Sequence, residues 1–190
     1  MGYALASAAA SQGAVVTLIS GPVTLKPPSG LRLVRVQTAA EMAAAVEEHI
    51  PGTDIFIAAA AVADYRAVHI AAGKIKKSND RLTLELEPIP DIVATLAAKK
   101  QARFVVGFAA ETDDIEENAQ KKLTSKSLDL ICANDVGRSD VGFNADDNEL
   151  LALWPGGQRR IAKAHKQIVA KELIQLIVER YEAKSTVKDS

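Results

Sequence analysis

The 190-residue sequence has little cysteine, few aromatic side chains and no excess of either charge. Its single cysteine, Cys132, excludes a disulfide framework or a cysteine zinc site within the chain and indicates a reducing, cytoplasmic compartment. The chain has 23 Lys and Arg against 24 Asp and Glu, and this balance argues against general binding to nucleic acid or to an anionic membrane. No apolar run approaches the roughly 20 residues that span a bilayer. The composition is that of an ordinary globular protein with a core of Ala, Val, Ile and Leu.

Common signatures of nucleotide, metal and nucleophile chemistry are also missing. The sequence has no Walker A motif, no G-x-G-x-x-G between a strand and a helix, and no nucleophile elbow. Its three histidines, His49, His69 and His165, lack metal-ligand spacing. Nothing adjacent would lower the pKa of Cys132, so this thiol is interpreted as a buried spectator. A nicotinamide-dependent Rossmann oxidoreductase and a non-catalytic nucleotide-binding dimerisation module nevertheless stay open as alternatives.

The sequence does contain an almost regular alternation of helix and strand patterns. Helices are predicted over 2–12, 38–49, 90–100, 113–126 and 165–181, and strands over 14–20, 31–36, 53–64, 81–87, 103–111 and 128–135. Near-continuous hydrophobicity in the strands is typical of a parallel sheet that is buried on both faces. The pattern predicts one domain over 1–190 with a Rossmann-like, doubly wound α/β fold, a mainly parallel sheet and helices on both faces. Residues 65–87 and a hairpin over 148–163 interrupt the alternation and are predicted to form a lobe or a small antiparallel dimerisation ribbon.

Ligands of open α/β sheets bind beyond the carboxyl ends of the strands, and this rule selects candidate site residues. The strand over 53–64 ends at Asp64, the next apolar strand passes Phe108 and ends near Glu111, and the following one ends at Asn134. Asp64 suits a hydrogen bond to a ribose or a base amine, and a helix cap or turn is its alternative role. These ends are expected to face one crevice.

Two groups of lysines are attached to segments that leave this edge. Lys74, Lys76 and Lys77 follow Gly73, while Lys122 and Lys126 are four residues apart and share a helix face. Converging lysines would suit a polyphosphate, because each opposite charge nearby is stabilising. The alternative is a solvated cluster on one segment and an exposed helix end on the other.

Six stretches, taken in order, resemble one family: AAAAVADYR, KIKK, PDIV, GFAAET, KKLTSKSLDLICAND and GFNADDNE. They are similar to phosphopantothenoylcysteine synthetase, in its CTP-using bacterial form that is the C-terminal half of a bifunctional coenzyme A biosynthesis protein. The resemblance implies a two-step ligase. The carboxylate of 4′-phosphopantothenate attacks the α-phosphate of CTP, giving an acyl-cytidylate and pyrophosphate, and the amine of cysteine then displaces CMP. It also implies Mg²⁺ on the triphosphate and a homodimer.

The resemblance also assigns residues to the site. The CTP contacts that it implies are Ala58, Ala59, Ala60, Asp64, Lys74, Pro90, Asp91, Ile92, Val93, Phe108, Lys122 and Lys126. Lys74 matches the catalytically important lysine of a mobile flap, predicted over 65–80, whereas Lys76 and Lys77 stay surface residues. Asn134, in the AND motif, is a further possible site residue. The resemblance assigns no metal ligand.

One departure from the family concerns the start of the sequence. The family has a glycine-rich loop with an asparagine ahead of the first helix, and MGYALA matches only the end of that motif. The loop, and a decarboxylase half that would hold FMN, are therefore expected upstream. Without the loop, the chain is expected to bind CTP but to be impaired in completing the reaction.

Overall fold

A computed structural model describes residues 1–77, 81–135, 137 and 145–188 of the chain. Helices α1 to α5 are Gly2–Ser11, Ala39–His49, Ile92–Lys99, Ile115–Ser125 and Lys166–Lys188. Strands β1 to β9 are Thr17–Ser20, Arg32–Arg35, Ile55–Ala58, Tyr65–Ala67, Leu86–Pro88, Phe104–Glu111, Leu130–Asp135, Asp147–Trp154 and Gly157–His165. No helix in these ranges is long and apolar enough to cross a membrane.

Five of the strands form a central sheet in the order β3-β6-β7-β8-β9. Strands β3, β6 and β7 are parallel, and the hairpin β8–β9 continues the sheet in antiparallel fashion. Strands β1 and β2 form a separate parallel pair, and β4 and β5 form a short antiparallel ribbon. The predicted α/β fold with parallel strands at its centre is confirmed.

Residues of the central strands alternate between two apolar layers. Val106 and Leu130 belong to the layer that includes α1 and α5, whereas Val105 and Ile131 belong to the layer that includes α2, α3 and α4. This two-residue period is expected of strands covered on both faces. Helices therefore pack on both faces of the sheet, as predicted. Cys132 is fully buried in the first layer, and this burial raises the pKa of its thiol, in agreement with its interpretation as a spectator.

The β8–β9 hairpin corrects one prediction, because it does not form a lobe apart from the sheet. Leu153 of β8 pairs with Ile131 of β7, and the stretch Leu150 to Leu153 is buried. Without β8, strand β7 would be an edge strand with one row of unpaired backbone groups, and the hairpin satisfies part of that row. The hairpin therefore completes the central sheet.

Three predicted boundaries differ from the observed ones. Strand β3 ends at Ala58 rather than near Asp64, and of the stretch 81–87 only the end belongs to a strand, β5. Helix α5 continues to Lys188, beyond the predicted helix end at Tyr181. The extra turns are held in place because Lys184 Nζ donates to the carbonyl oxygen of Arg103 at 2.8 Å and to Asp129 Oδ1 at 2.5 Å.

Candidate functional site

The carboxyl ends of β3, β6 and β7 lie side by side at one edge of the central sheet. In the register of the parallel strands, Ala58 is opposite Gly107, the residue before Phe108. Asn134 is opposite Ala110, two residues after Phe108. The structure thus brings Ala58, Phe108 and Asn134 to neighbouring strand ends, and all three are half-buried. Their role in binding a nucleotide stays a prediction.

Small side chains shape the β3 end of this edge. Ala58 and Ala59 are half-buried and Ala60 is exposed. Helix α1 begins against this run, since a Cβ added to Gly2 would lie 3.6 Å from the Cβ of Ala59. This distance is an ordinary van der Waals contact, so the start of α1 lies directly against the alanine run. The alanines therefore let another backbone or a ligand approach closely.

Asp91 joins two of the predicted site segments. Its Oδ1 accepts a hydrogen bond from the backbone nitrogen of Ala94 at 2.9 Å, which caps α3, and its Oδ2 lies 2.7 Å from Lys126 Nζ. Partial burial opposes ionisation, but these donors outweigh it and hold the pKa of Asp91 below its ordinary value. Ile92 and Val93 pack into the layer beneath, so this segment offers mainly its backbone and Asp91 to the site.

Glu111 is a functional candidate that the sequence reasoning named only as a strand end. Its Oε1 lies 2.6 Å from Lys122 Nζ, and its side chain is only 11% exposed. Lys122 and Lys126 lie towards the end of α4, but helical side chains lean towards the helix N-terminus. They therefore reach back towards the edge where β6 ends. That lean is the signal that would have connected Lys122 with Glu111 before the structure was known.

Lys74 has no polar contact with the strand ends in the part of the chain that the structure describes. It lies in the exposed loop between β4 and β5, and within the described ranges it makes no hydrogen bond or ion pair. The predicted flap over 65–80 includes residues 78–80, which lie outside the described residues. Asp64 closes the base of the β4–β5 ribbon, because its backbone carbonyl accepts from Ile89 N at 2.8 Å, and its side chain is exposed. Pro90 is exposed next to this contact.

The described residues contain no group of three or more His, Cys, Asp or Glu side chains that could hold a metal ion. Mg²⁺ is commonly bound by one or two carboxylates together with substrate phosphates and water, rather than by a complete protein cage. The side chains present are therefore compatible with an ion that arrives on a nucleotide. They do not identify a protein ligand for it.

Comparison with known sequences identifies a family and relatives that this chain resembles along almost its whole length. Residues 1–181 match the family described as DNA/pantothenate metabolism flavoprotein C-terminal domain. The chain is 49% identical over 189 residues to the coenzyme A biosynthesis bifunctional protein CoaBC of Escherichia coli (strain K12), which covers 97% of this chain and 47% of that protein. The chain therefore spans about half the length of the curated relatives that it matches.

Solved structures agree with the sequence comparison. The C-terminal domain of a coenzyme A biosynthesis bifunctional protein CoaBC superposes with a TM-score of 0.77 and 33% identity, covering all of this chain (100%) and 83% of that one. A Cab2 variant in complex with phosphopantothenate-cysteine superposes with a TM-score of 0.66 over 84% of this chain and 56% of that one. At 17% identity, the second similarity establishes the shared fold alone.

Proposed function

The chain belongs to the DNA/pantothenate metabolism flavoprotein C-terminal domain family, and from this premise we propose that it is a CTP-dependent phosphopantothenate–cysteine ligase domain. The carboxylate of 4′-phosphopantothenate attacks the α-phosphate of CTP and releases pyrophosphate, and the amine of cysteine then displaces CMP to form the amide. The observation that carries the proposal is the convergence of Ala58, Phe108 and Asn134 at one sheet edge in a chain that is 33% identical to a solved CoaBC C-terminal domain.

The residues of this edge suit the binding of a nucleotide. Ala58 and Ala59 leave room for the ligand backbone, and Phe108 is a half-buried aromatic side chain beside them. Asp64 offers an exposed carboxylate at the base of the ribbon. Lys74, on the exposed loop between β4 and β5, is proposed to bring positive charge to this edge, because the attack of one anion on another depends mainly on neutralising negative charge. In this proposal, small side chains let the nucleotide approach the strand ends closely, and charged side chains bind its polar groups.

The proposal includes a Mg²⁺ ion that binds together with the triphosphate of CTP. When bound, it would neutralise charge on the pyrophosphate that leaves. Asp64 is the carboxylate of the proposed site that has no hydrogen bond or ion pair to its side chain in the described structure. It is therefore the carboxylate that would need no release from another partner before approaching the ion. FMN belongs to the proposed upstream decarboxylase half, and the chemistry of this chain does not call for it.

Pyrophosphate release tests this function directly. In a protein that joins this chain to the upstream loop of its family, release from CTP should require 4′-phosphopantothenate, and the amide should require cysteine as well. Release without phosphopantothenate, or no release at all, would contradict the ligase. A parallel titration with NADPH checks the nicotinamide alternative, which the reported relatives do not support.

The segment from β4 to β5, residues 65–88, supports a homodimer as a second part of the proposal. Seven of the eleven large apolar side chains that are exposed in the described ranges lie in it, namely Tyr65, Val68, Ile70, Ile75, Leu82, Leu84 and Leu86. The three leucines alternate along the chain, so in an extended segment they share one face. A concentration of exposed apolar side chains marks an interaction surface, and a second copy of the chain is its proposed occupant.

Replacing Leu84 with aspartate should dissociate this dimer, because the substitution would bury a charge in the apolar contact. Sedimentation equilibrium of the same protein should then give the mass of one subunit. Val15→Asp is the matched control, because Val15 is also a fully exposed apolar residue and lies 50 residues before the ribbon in the sequence. A dimer that survives Leu84→Asp unchanged would exclude this surface.

A further inference from the structure

Asn148, near the start of β8, has a buried acceptor that lacks a hydrogen-bond partner. The residue is only 2% exposed, and no donor in the described ranges bonds to its side-chain oxygen, Oδ1. Ser20, the other buried polar residue of these ranges, is hydrogen-bonded to the hydroxyl of Tyr3 and to the carbonyl oxygen of Gly21, both at 2.9 Å. Proteins rarely bury a polar atom without a partner, because its lost hydration is then not replaced. The Asn148 oxygen is therefore suited to accept from a bound molecule.

The sheet register shows which way the Asn148 side chain points. Asn148 pairs with Ala164 of β9, and Ala164 packs against the apolar layer that includes α1 and α5. Paired residues of neighbouring strands point to the same face, so Asn148 points towards this layer and away from α3 and α4. Because β8 is antiparallel to β7, its start lies near the end of β7, where Asn134 is located. Asn148 therefore lies beside the strand ends, on the face covered by α1.

Lys166, the first residue of α5, lies next to this position. It follows Ala164 by two residues, and its Nζ donates to the carbonyl oxygen of Ala145, just before β8. Burial and the nearby charge of Lys166 both lower the pKa of the Met1 amino group, so the start of α1 is close as well. Asp146 accepts from Lys166 N at 3.0 Å through its backbone carbonyl. In the part of the chain that the structure describes, no carboxylate forms an ion pair with the half-buried Lys166.

The starts of α1 and α5 add positive charge beside Lys166. Neither helix has an acidic residue in its first turn, whereas α2 and α4 do, and a carboxylate caps α3. Helix α1 has no side-chain cap, and at the start of α5 the backbone nitrogen of Gln167 has only a long contact, 3.4 Å, with His165 Nδ1. Helix N-termini attract anions because unpaired N–H groups and the helix dipole point there. An anion at this place would offset the charge of the lysine and of both helix ends.

A buried acceptor next to a positive region matches the two polar groups of an α-amino acid. The α-amino group has N–H groups to donate to Asn148 Oδ1, whether or not it is protonated. The α-carboxylate can accept from the Lys166 ammonium group, which has three donors and uses one on Ala145. A phosphate dianion would fit the positive region equally well, but it has no hydrogen to donate to Asn148. The pair of residues therefore favours an amino acid over a phosphate.

We infer that Asn148 and Lys166 bind the amino acid substrate, cysteine, through its α-amino and α-carboxylate groups. This inference rests on the proposed function, in which the amine of cysteine displaces CMP. Asn148 points to the α1 and α5 face of the sheet, whereas Lys122 and Lys126 belong to α4 on the other face. Cysteine would therefore have a subsite of its own, next to the strand ends at which the nucleotide is proposed to bind.

Steady-state kinetics of amide formation test the role of Asn148, in a protein that joins this chain to the upstream loop of its family. Asn148→Leu removes the acceptor but keeps the size of the side chain, so it should raise the KM for cysteine about 10-fold, the usual effect of losing one charge-assisted hydrogen bond. The KM values for CTP and phosphopantothenate should change less than twofold. Asn148→Asp, which keeps an acceptor oxygen, should restore the KM for cysteine.

Cysteamine, which is cysteine without its carboxylate, tests the role of Lys166. The unmodified protein should prefer cysteine, as measured by the ratio of the two kcat/KM values. Lys166→Met should lower this ratio about 10-fold, because only cysteine loses a contact, and Lys166→Arg should keep it. Lys171→Met is the matched control, since Lys171 is an exposed lysine on the same helix. It should leave the ratio unchanged.

Three results would overturn the inference. They are an unchanged KM for cysteine in Asn148→Leu, an unchanged preference over cysteamine in Lys166→Met, and a rise in the KM for phosphopantothenate instead, which would assign the positive region to its phosphate. If Asn148→Leu does not fold by circular dichroism, Lys166→Met and the cysteamine comparison still decide. Failure of the proposed function is a separate result, because the unmodified protein would then release no pyrophosphate from CTP in the presence of phosphopantothenate.

Discussion

Replacing Lys74 with alanine is expected to slow amide formation by about 10²–10³-fold, the usual effect of losing one group that stabilises charge in a transition state. The reaction brings a carboxylate onto a triphosphate, and the pyrophosphate that leaves accumulates further negative charge. In the described structure Lys122 and Lys126 are neutralised by carboxylates, whereas Lys74 is exposed and makes no ion pair. The charge that Lys74 carries is therefore the one that the phosphates can use.

Lys77→Ala is the matched control for this experiment. Lys77 lies in the same exposed loop, has no ion pair in the described ranges, and was predicted to be a surface residue. Its removal should change the rate less than twofold, because a charge in water at a distance is screened. Amide formation is followed by mass spectrometry in a protein that includes the upstream loop of the family. Normal product formation by the Lys74→Ala protein would show that the role assigned to Lys74 is wrong.

The position of Lys74 adds a requirement to this prediction. In the described structure Lys74 has no hydrogen bond or ion pair to a residue of the strand ends, so it can act only if its ammonium group reaches the nucleotide bound there. Closing loops in enzymes both deliver groups and exclude water from reactive intermediates. An acyl-cytidylate is open to hydrolysis, and exclusion of water would protect it. The same loop movement would then bring Lys74 to the phosphates and exclude water from the intermediate.

Short-range sequence patterns were sufficient to predict many of the helices and where they begin or end. Thr38 and Glu41 have the spacing of a capping box at the start of the helix predicted over 38–49: Glu41 N donates to Thr38 Oγ1 at 3.1 Å, and the Glu41 carboxylate accepts from Gln37 N, one residue before the cap, at 2.8 Å. Gly13 follows α1 with a φ of 89°, as expected for a residue just after a helix. Such features depend on a few neighbouring residues, so the sequence contains all the information that they need.

Long-range features could not be predicted in the same way. The pairing of β8 with β7 depends on which strand edge is left open, and short-range periodicity does not specify that partner. To predict the pairing of Lys122 with Glu111, one must know how helix α4 is oriented relative to the preceding strand β6. The expectation that the carboxyl ends of β3, β6 and β7 lie at one edge is confirmed, because it needs only the order of the parallel strands, whereas the binding of a nucleotide there stays a prediction. The carboxylates that hold the lysines appear only once the elements are packed.

Helix α5 shows how an apolar pattern can be assigned to the wrong face. Its large apolar residues are Ile168, Leu173, Ile174, Ile177 and Tyr181, which suggest one buried side, but Ile168 is 59% exposed. Five residues correspond to about 500° of helical rotation, so Ile168 lies about 140° around the helix from Leu173. The buried stripe instead consists of Val169, Ala170, Leu173, Leu176 and Ile177, each no more than 1% exposed. Spacings of three and four residues connect these positions, as expected for one face.

Leu173→Ala is expected to reduce the free energy of unfolding by about 2–5 kcal/mol, because it leaves a cavity in a fully buried part of the core. Ile168→Ala removes a side chain of the same size from the same helix, but its effect should be below about 0.5 kcal/mol, since the side chain is mostly in water already. Urea unfolding followed by circular dichroism measures both values, with an unchanged slope as the check that only stability differs. Similar losses for the two variants would mean that Ile168 is covered in the folded protein. Because α5 packs with α1 in one apolar layer, a loosened α5 should also weaken the support of Ala59 at the site.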